Sequence, residues 1–154
     1  MLQKIISGGQ TGVDRAALDA AQQLNFPHGG WCPHGRIAED GPIPTSYSLK
    51  ETPSPEYAER TEWNVRDSDG TLILTQGKPT EGTALTIDFA QKHHKPFLIV
   101  DFLKEVSLDK INDWIAQNKI QTLNVAGPRA SKKPEIYPLA FKLVRNLLLP
   151  GANS

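Results

Sequence analysis

The sequence predicts an α/β fold in which a parallel sheet carries helices on both faces, and three observations lead to it. Short apolar runs rich in β-branched residues alternate with stretches of helical spacing from one end of the chain to the other. Each run breaks on glycine, proline or small polar residues before the next helical stretch begins. The chain has 154 residues, enough for one domain with a real core, and neither an internal repeat nor a low-complexity segment.

Taken in order, the first strand is Ile5 and Ile6 after Lys4. Val13, Ala16, Ala17, Ala20, Ala21 and Leu24 then recur at helical intervals, a narrow stripe of small residues suited to close packing on a sheet. A weak strand is expected over residues 26–30, ending at Trp31 and Cys32. Residues 33–53 are rich in glycine and proline and read as one long loop, of a length that goes with function or disorder. Ser54 and Pro55 read as the cap and first residue of a helix over 56–65. "GTLILT", residues 70–75, is a buried strand. Residues 83–93 are helical, 96–101 form a strand, and Ser107 caps a helix carrying Leu108, Ile111 and Ile115. "TLNVAG", residues 122–127, is another strand. The last helix carries Ile136, Leu139, Ala140, Leu143, Val144, Leu147 and Leu148 up to a stop at Pro150 and Gly151, and the terminal "GANS" is expected to fray. Strands separated by helices imply right-handed crossovers, so the expected fold is a Rossmann-like parallel sheet.

Composition narrows the partners. The 17 basic and 17 acidic residues cancel, so no bulk charge recruits nucleic acid or an anionic membrane, and any anion site must be local. One cysteine, Cys32, allows no internal disulfide and no thiol-based zinc site, and no tightly held structural metal is expected. The apolar run after Lys4 stops at Ser7, which is no signal peptide, and no stretch is long enough to span a bilayer. A cytoplasmic protein is expected.

The chemistry concentrates in turns. Gly8, Gly9, Gln10, Thr11 and Gly12 join the first strand to the first helix, leaving several backbone N–H groups without helical partners. Glycine permits close approach and the helix end is partly positive, so the turn suits a phosphate or another oxyanion, although a tight connection alone would use the same residues. It is neither the dinucleotide fingerprint nor a P-loop with its lysine. Two later strands end in related turns, "QGKPTEGT" and "GPRASKK". Strand carboxyl ends lie on one edge of a parallel sheet, so the three turns, with Lys78, Arg129, Lys132 and Lys133, point to a phosphorylated small molecule. Gly82 and Thr83 would form the second cradle and Gly127, Arg129 and Ser131 the third. Arg36, Glu39 and Asp40, in the long loop, would close over the ligand, while Asp14 would either contact it or only complement the helix dipole. Arg60 and Asn64, one helical turn apart, can face the site together, Trp31 belongs with the core, and His93 and His94 read as helix C-terminal cations.

The blocks "SGGQTGVDRAALDAA", "GWCPHGRIAEDGPIP", "NVRDSDGTLIL" and the later "GTALT", in this order, resemble the molybdenum carrier family, related to the molybdenum-cofactor carrier proteins. That family is similar in turn to the Rossmann-like superfamily that includes the lysine-decarboxylase-like phosphoribohydrolases. The resemblance spans most of the chain and is densest over residues 7–86. It implies non-catalytic carriage of molybdenum cofactor, a pterin with a dithiolene, an oxygen-coordinated metal and a terminal phosphate, or binding of molybdate in the same N–H cradle. It also implies a homo-oligomer, with molybdoenzymes as acceptors. For Cys32 the choice lies between a soft metal ligand and a buried residue at a strand end, and the second fits its tryptophan neighbour better. The phosphoribohydrolase relatives carry a catalytic glutamate in "GGxGTxxE"; here Thr86 stands in that place. Hydrolysis of a nucleoside monophosphate, with Asp14 or Glu39 as the substitute carboxylate, is therefore the second reading, and a nucleotide-binding sensor the third.

Overall fold

The computed structural model describes residues 1–149; the expected helix stop at Pro150 and Gly151 and the "GANS" terminus lie outside the described residues. In chain order, β1 (Lys4–Ile6) leads into α1 (Val13–Gln23), then β2 (His28–Gly29), β3 (Trp31–Cys32), β4 (Ile37–Ala38), β5 (Gly41–Pro42) and β6 (Lys50–Glu51). There follow α2 (Tyr57–Arg66), β7 (Gly70–Thr75), α3 (Glu81–Lys92), β8 (Phe97–Asp101), α4 (Leu108–Gln117), β9 (Thr122–Ala126) and α5 (Ile136–Leu148). Among the described residues no helix is long and apolar enough to cross a membrane.

Five strands pair in parallel in the order β2-β1-β9-β7-β8, with Ile5 opposite Leu123 and Leu72 opposite both Val125 and Leu98. The last strand thus lies between the first and β7. Counted from β7 through the C-terminal strand and on to β1 and β2, the order becomes 2-1-3-4-5, a doubly wound sheet whose switch point falls between β7 and β9. The small residues Ala16, Ala17, Ala20 and Ala21 bring α1 close to Ile136, Ala140, Val144 and Leu147 of α5. Leu72 and Leu74, Leu123 and Val125, and Ile111 and Ile115 of α4 complete this core. Helices α2 and α3 pack on each other and cover the other face. Trp114, half-buried, packs onto the main core, as does Tyr137.

Three details differ from the sequence reading. Residues 33–53 are a folded strap, not an open loop: β4 and β5 form an antiparallel hairpin, and β6 pairs in parallel with β3. Beneath the strap, Cys32, Ala38 and Ile43 make a second small core with Tyr47 and Leu49. Helix α2 begins at Tyr57, because the Ser54 hydroxyl accepts from Glu56 N at 3.0 Å and Ser54 N donates to the Glu59 carboxylate at 2.9 Å, closing a turn ahead of the helix. Helix α3 takes in Glu81 and Gly82, so its N-terminus stands closer to β7 than expected. Ser107 does cap α4, accepting from Lys110 N at 3.2 Å.

Candidate functional site

Beside the switch point, the carboxyl ends of β1 and β9, the N-terminus of α3 and one face of α2 enclose a cavity of about 590 Å³. Its floor is built on Asp14, in the first turn of α1. Oδ2 of Asp14 accepts from Gln10 N at 3.3 Å and from Arg60 Nη1 at 3.1 Å, and Arg60 Nη1 donates also to Gly8 O at 3.2 Å. The ion pair needs a glycine at position 8, since a Cβ there would lie 2.2 Å from Arg60 Nη1. Burial pushes the Asp14 carboxyl up, and the Arg60 guanidinium opposes that rise. One turn after Arg60, Asn64 also lines the cavity, and its amide pins β3 by accepting from Trp31 N at 2.8 Å and donating to Trp31 O at 3.0 Å.

The rim is the N-terminus of α3 with the turn after β9. Thr80 occupies the N-cap of α3 without a side-chain bond to the helix backbone, so the first N–H groups of α3 stay open beside Gly82 and Thr83. Arg129 and Lys132 approach the same cavity from the β9 turn. Three cations line it against two carboxylates, Asp14 and Glu81; Arg60 pairs with Asp14, and Arg129 Nε stands 3.6 Å from the Glu39 carboxylate of the strap. Thr86, buried on the lining, turns its hydroxyl back to Gly82 O at 3.0 Å.

The structure divides the residues singled out in the sequence. Gly8, Gln10, Asp14, Gly82, Thr83, Gly127 and Arg129 line the cavity, together with Arg60 and Asn64. Gly9, Thr11, Gly12, Arg36, Glu39, Asp40 and Ser131 do not. Gly9 lies under Leu49 and Ile43 of the strap. Arg36 holds the strap's own chain, donating to the carbonyls of Pro44 and Tyr47 at 2.8 and 2.9 Å and to those of Ile43 and Leu49 at longer range. The Glu39 carboxylate accepts from the Thr11 hydroxyl, from the Ser131 hydroxyl and from Ser131 N at 3.1 Å, with Arg129 Nε 3.6 Å away. An internal carboxylate therefore takes the hydrogen bonds of Thr11 and Ser131, two of the residues expected to meet an external anion. Burial works against its ionisation, yet the Ser131 and Thr11 hydrogen bonds hold it below the usual carboxylate range. Next to it Asp40 pairs with both terminal nitrogens of Arg15, at 2.5 and 2.8 Å, and is also held low. The two acids latch the strap to α1 and the β9 turn, beside the cavity.

Cys32 is fully buried in the small core and does not line the cavity; burial pushes its thiol up. Among the described residues no group of three or more His, Cys, Asp and Glu side chains is placed to hold a metal ion. His93 is the C-cap of α3 and its Nε2 meets the Glu62 carboxylate at 2.7 Å. Among the lining residues that the sequence reading does not single out are Tyr57, Thr61 and Asn124; Asn124, in the middle of β9, donates to the Thr71 hydroxyl across the strands at 3.2 Å. An asparagine inside the apolar run "TLNVA" was its signal.

No curated protein matches the chain. A crystal structure named as a "Putative molybdenum carrier protein" from Syntrophus aciditrophicus SB is 49% identical, covers 96% of each chain, and superposes with a TM-score of 0.90. A model of the circularly permutated YpsA SLOG family matches residues 5–148. The strand order has the same character, becoming an ordinary doubly wound sheet once the count begins at β7. With nearly its whole length matched, the chain belongs to the circularly permutated YpsA SLOG family.

Proposed function

We propose that the cavity binds a phosphorylated heterocycle and that the protein carries molybdenum cofactor, a phosphorylated pterin, without transforming it. The observation that carries this reading is the rim, where the open N-terminus of a twelve-residue helix faces the same space as Arg129 and Lys132. Helix N–H groups and nearby cations are what a phosphate dianion requires. The volume of about 590 Å³ lies in the range of small-molecule sites, with room for a fused ring beyond the phosphate. The metal belongs to the cargo and is held by its dithiolene; Cys32 stays with the small core. Molybdate alone would use the rim and leave the floor unused.

Carriage is favoured over nucleoside-monophosphate hydrolysis because the two carboxylates that could substitute for the missing glutamate are each held by partners within the chain. Asp14 is bound to Arg60 and Glu39 to Thr11 and Ser131, while Thr86 replaces the glutamate of the hydrolases. In this reading the chain is a single cytoplasmic domain that assembles as a homo-oligomer and hands its cargo to molybdoenzymes. The similarity to a protein named as a molybdenum carrier supports it. Calorimetric titration with anaerobic molybdopterin, AMP and molybdate tests it on the parent and on two variants. A Cβ at Gly82 meets nothing within 4 Å, so Gly82→Val should fold and fill the rim, lowering affinity at least about tenfold. Arg129→Ala should cost roughly 1.5–3 kcal/mol of binding. Equal affinity in the parent and Gly82→Val would remove the cavity as the site.

A further inference from the structure

We propose that the floor of the cavity reads the edge of the bound ring and selects a lactam, a ring N–H beside a ring C=O, over the amino-imine edge of adenine. The inference rests on the reading of the cavity as a site for a phosphorylated heterocycle and adds which ring it takes. Three floor residues, Gln10, Asp14 and Arg60, are buried, line the cavity and each keep hydrogen-bonding capacity that the chain does not use up. Gln10 Oε1 accepts from Thr11 N at 3.1 Å and from Glu39 N at 2.9 Å, which fixes the amide so that Nε2 is the free end. That nitrogen donates to nothing among the described residues.

Arg60 commits Nη1 to Gly8 O and Asp14, and its Nε leans towards Tyr57 O at 3.4 Å, leaving Nη2 without an acceptor. Asp14 receives the hydrogen bonds of Gln10 and Arg60 on Oδ2. Its other close neighbour, Ser7, donates to Val125 O at 2.7 Å and also hydrogen-bonds the Asp14 carboxyl; each carboxylate oxygen has two lone pairs, so Oδ1 still has room for a ligand N–H. The floor thus offers two donors and one acceptor to a ring that enters the cavity. A ring seated there shuts water out, and polar groups cut off from water are costly unless paired, so a ligand that answers all three is favoured.

A lactam does so: its N–H donates to Asp14 Oδ1, and its carbonyl oxygen, with two lone pairs, accepts from both Gln10 Nε2 and Arg60 Nη2. Adenine presents one ring nitrogen with one lone pair beside its amino group, and one floor donor stays buried and unpaired. Pterins, guanine and hypoxanthine carry the lactam edge. Sites that hydrogen-bond a ligand group reject the analogue lacking it more strongly than apolar pockets reject a changed shape.

The test is titration of the parent with IMP, GMP, AMP and a 6-hydroxymethylpterin phosphate ester, with inorganic phosphate as the baseline. The expected result is that IMP, GMP and the pterin ester each bind at least about tenfold more tightly than AMP. Asp14→Asn, checked for folding by thermal melt, should bring the IMP to AMP ratio within about threefold of unity. Should that variant fail to fold, the ligand series on the parent still decides. Equal binding of IMP and AMP, both lost in Gly82→Val, would overturn the edge selection and leave the phosphate site standing. No binding of any organic phosphate to the parent at millimolar concentration would overturn both.

Discussion

Replacing Gly12 by alanine should destabilise the fold because of the β9 turn, whether or not a ligand is present. Gly12 has φ +79° and ψ −127°, outside the left-handed helical region and a conformation that costs an L-residue at least about 1–2 kcal/mol. Its Cβ would lie 2.4 Å from Pro128 O and 2.9 Å from Ala130 N, both backbone atoms. Pro128 O also accepts from Val13 N at 3.3 Å, so the turn cannot retreat without loosening the start of α1. Overpacking of this kind costs roughly 1–3 kcal/mol, which makes the total about 2–5 kcal/mol. For a chain of 154 residues that corresponds to a fall in Tm of about 4–20 °C. Gly82→Ala is the control. It sits in a helix with open space around its Cβ and should gain about 0.5–1 kcal/mol. Thermal melts of the ligand-free proteins by circular dichroism measure both. If Gly12→Ala melted within a degree or two of the parent, the glycine would not be there for packing, and the reading of this turn as an internal contact would be wrong.

The latch gives a pH dependence. Glu39 and Asp40 are held below their ordinary values of 4.5 and 3.8, so their contribution is complete above those values and is lost as pH falls through the lower folded-state values. Urea midpoints should therefore fall more steeply below about pH 4 in the parent than in Glu39→Gln/Asp40→Asn, and superimposable pH profiles would contradict the latch. Cys32→Ser puts a hydroxyl into the small core and should cost about 1–3 kcal/mol in a denaturant melt, while pterin affinity stays within a few-fold. A loss of affinity of about 100-fold would instead restore Cys32 as a metal ligand.

The elements were legible where period and length agree. Ile136, Ala140, Leu143, Val144 and Leu147 repeat at helical spacing, and all of them are buried in α5. "GTLILT" is buried along its whole length because helices cover both sides of β7. The partner of each strand was not legible. Nothing in "TLNVA" announces that it pairs with both β1 and β7, because parallel pairing is decided by packing and not by a turn. The same holds for the site. Gly8, Asp14 and Gly82 were found from their turn, and Arg60 with Asn64 from helical spacing. The fate of Glu39 and Asp40 depended on partners 92 and 25 residues away, Ser131 and Arg15, which no local pattern specifies. Of the two roles the sequence leaves open for the glycines of "GGQTG", the structure shows the packing one: they make room for Arg60, for the strap and for the β9 turn against the first turn.

The central claim, carriage of a phosphorylated pterin in the cavity beside the switch point, is tested most directly by mass spectrometry with molybdenum analysis. The protein would be purified without oxygen from cells that make molybdenum cofactor. The account predicts one phosphorylated pterin per chain, accompanied by molybdenum, and neither on Gly82→Val purified in the same way. Retention of the same pterin by a folded Gly82→Val variant, or an adenine nucleotide in its place on the parent, would contradict it.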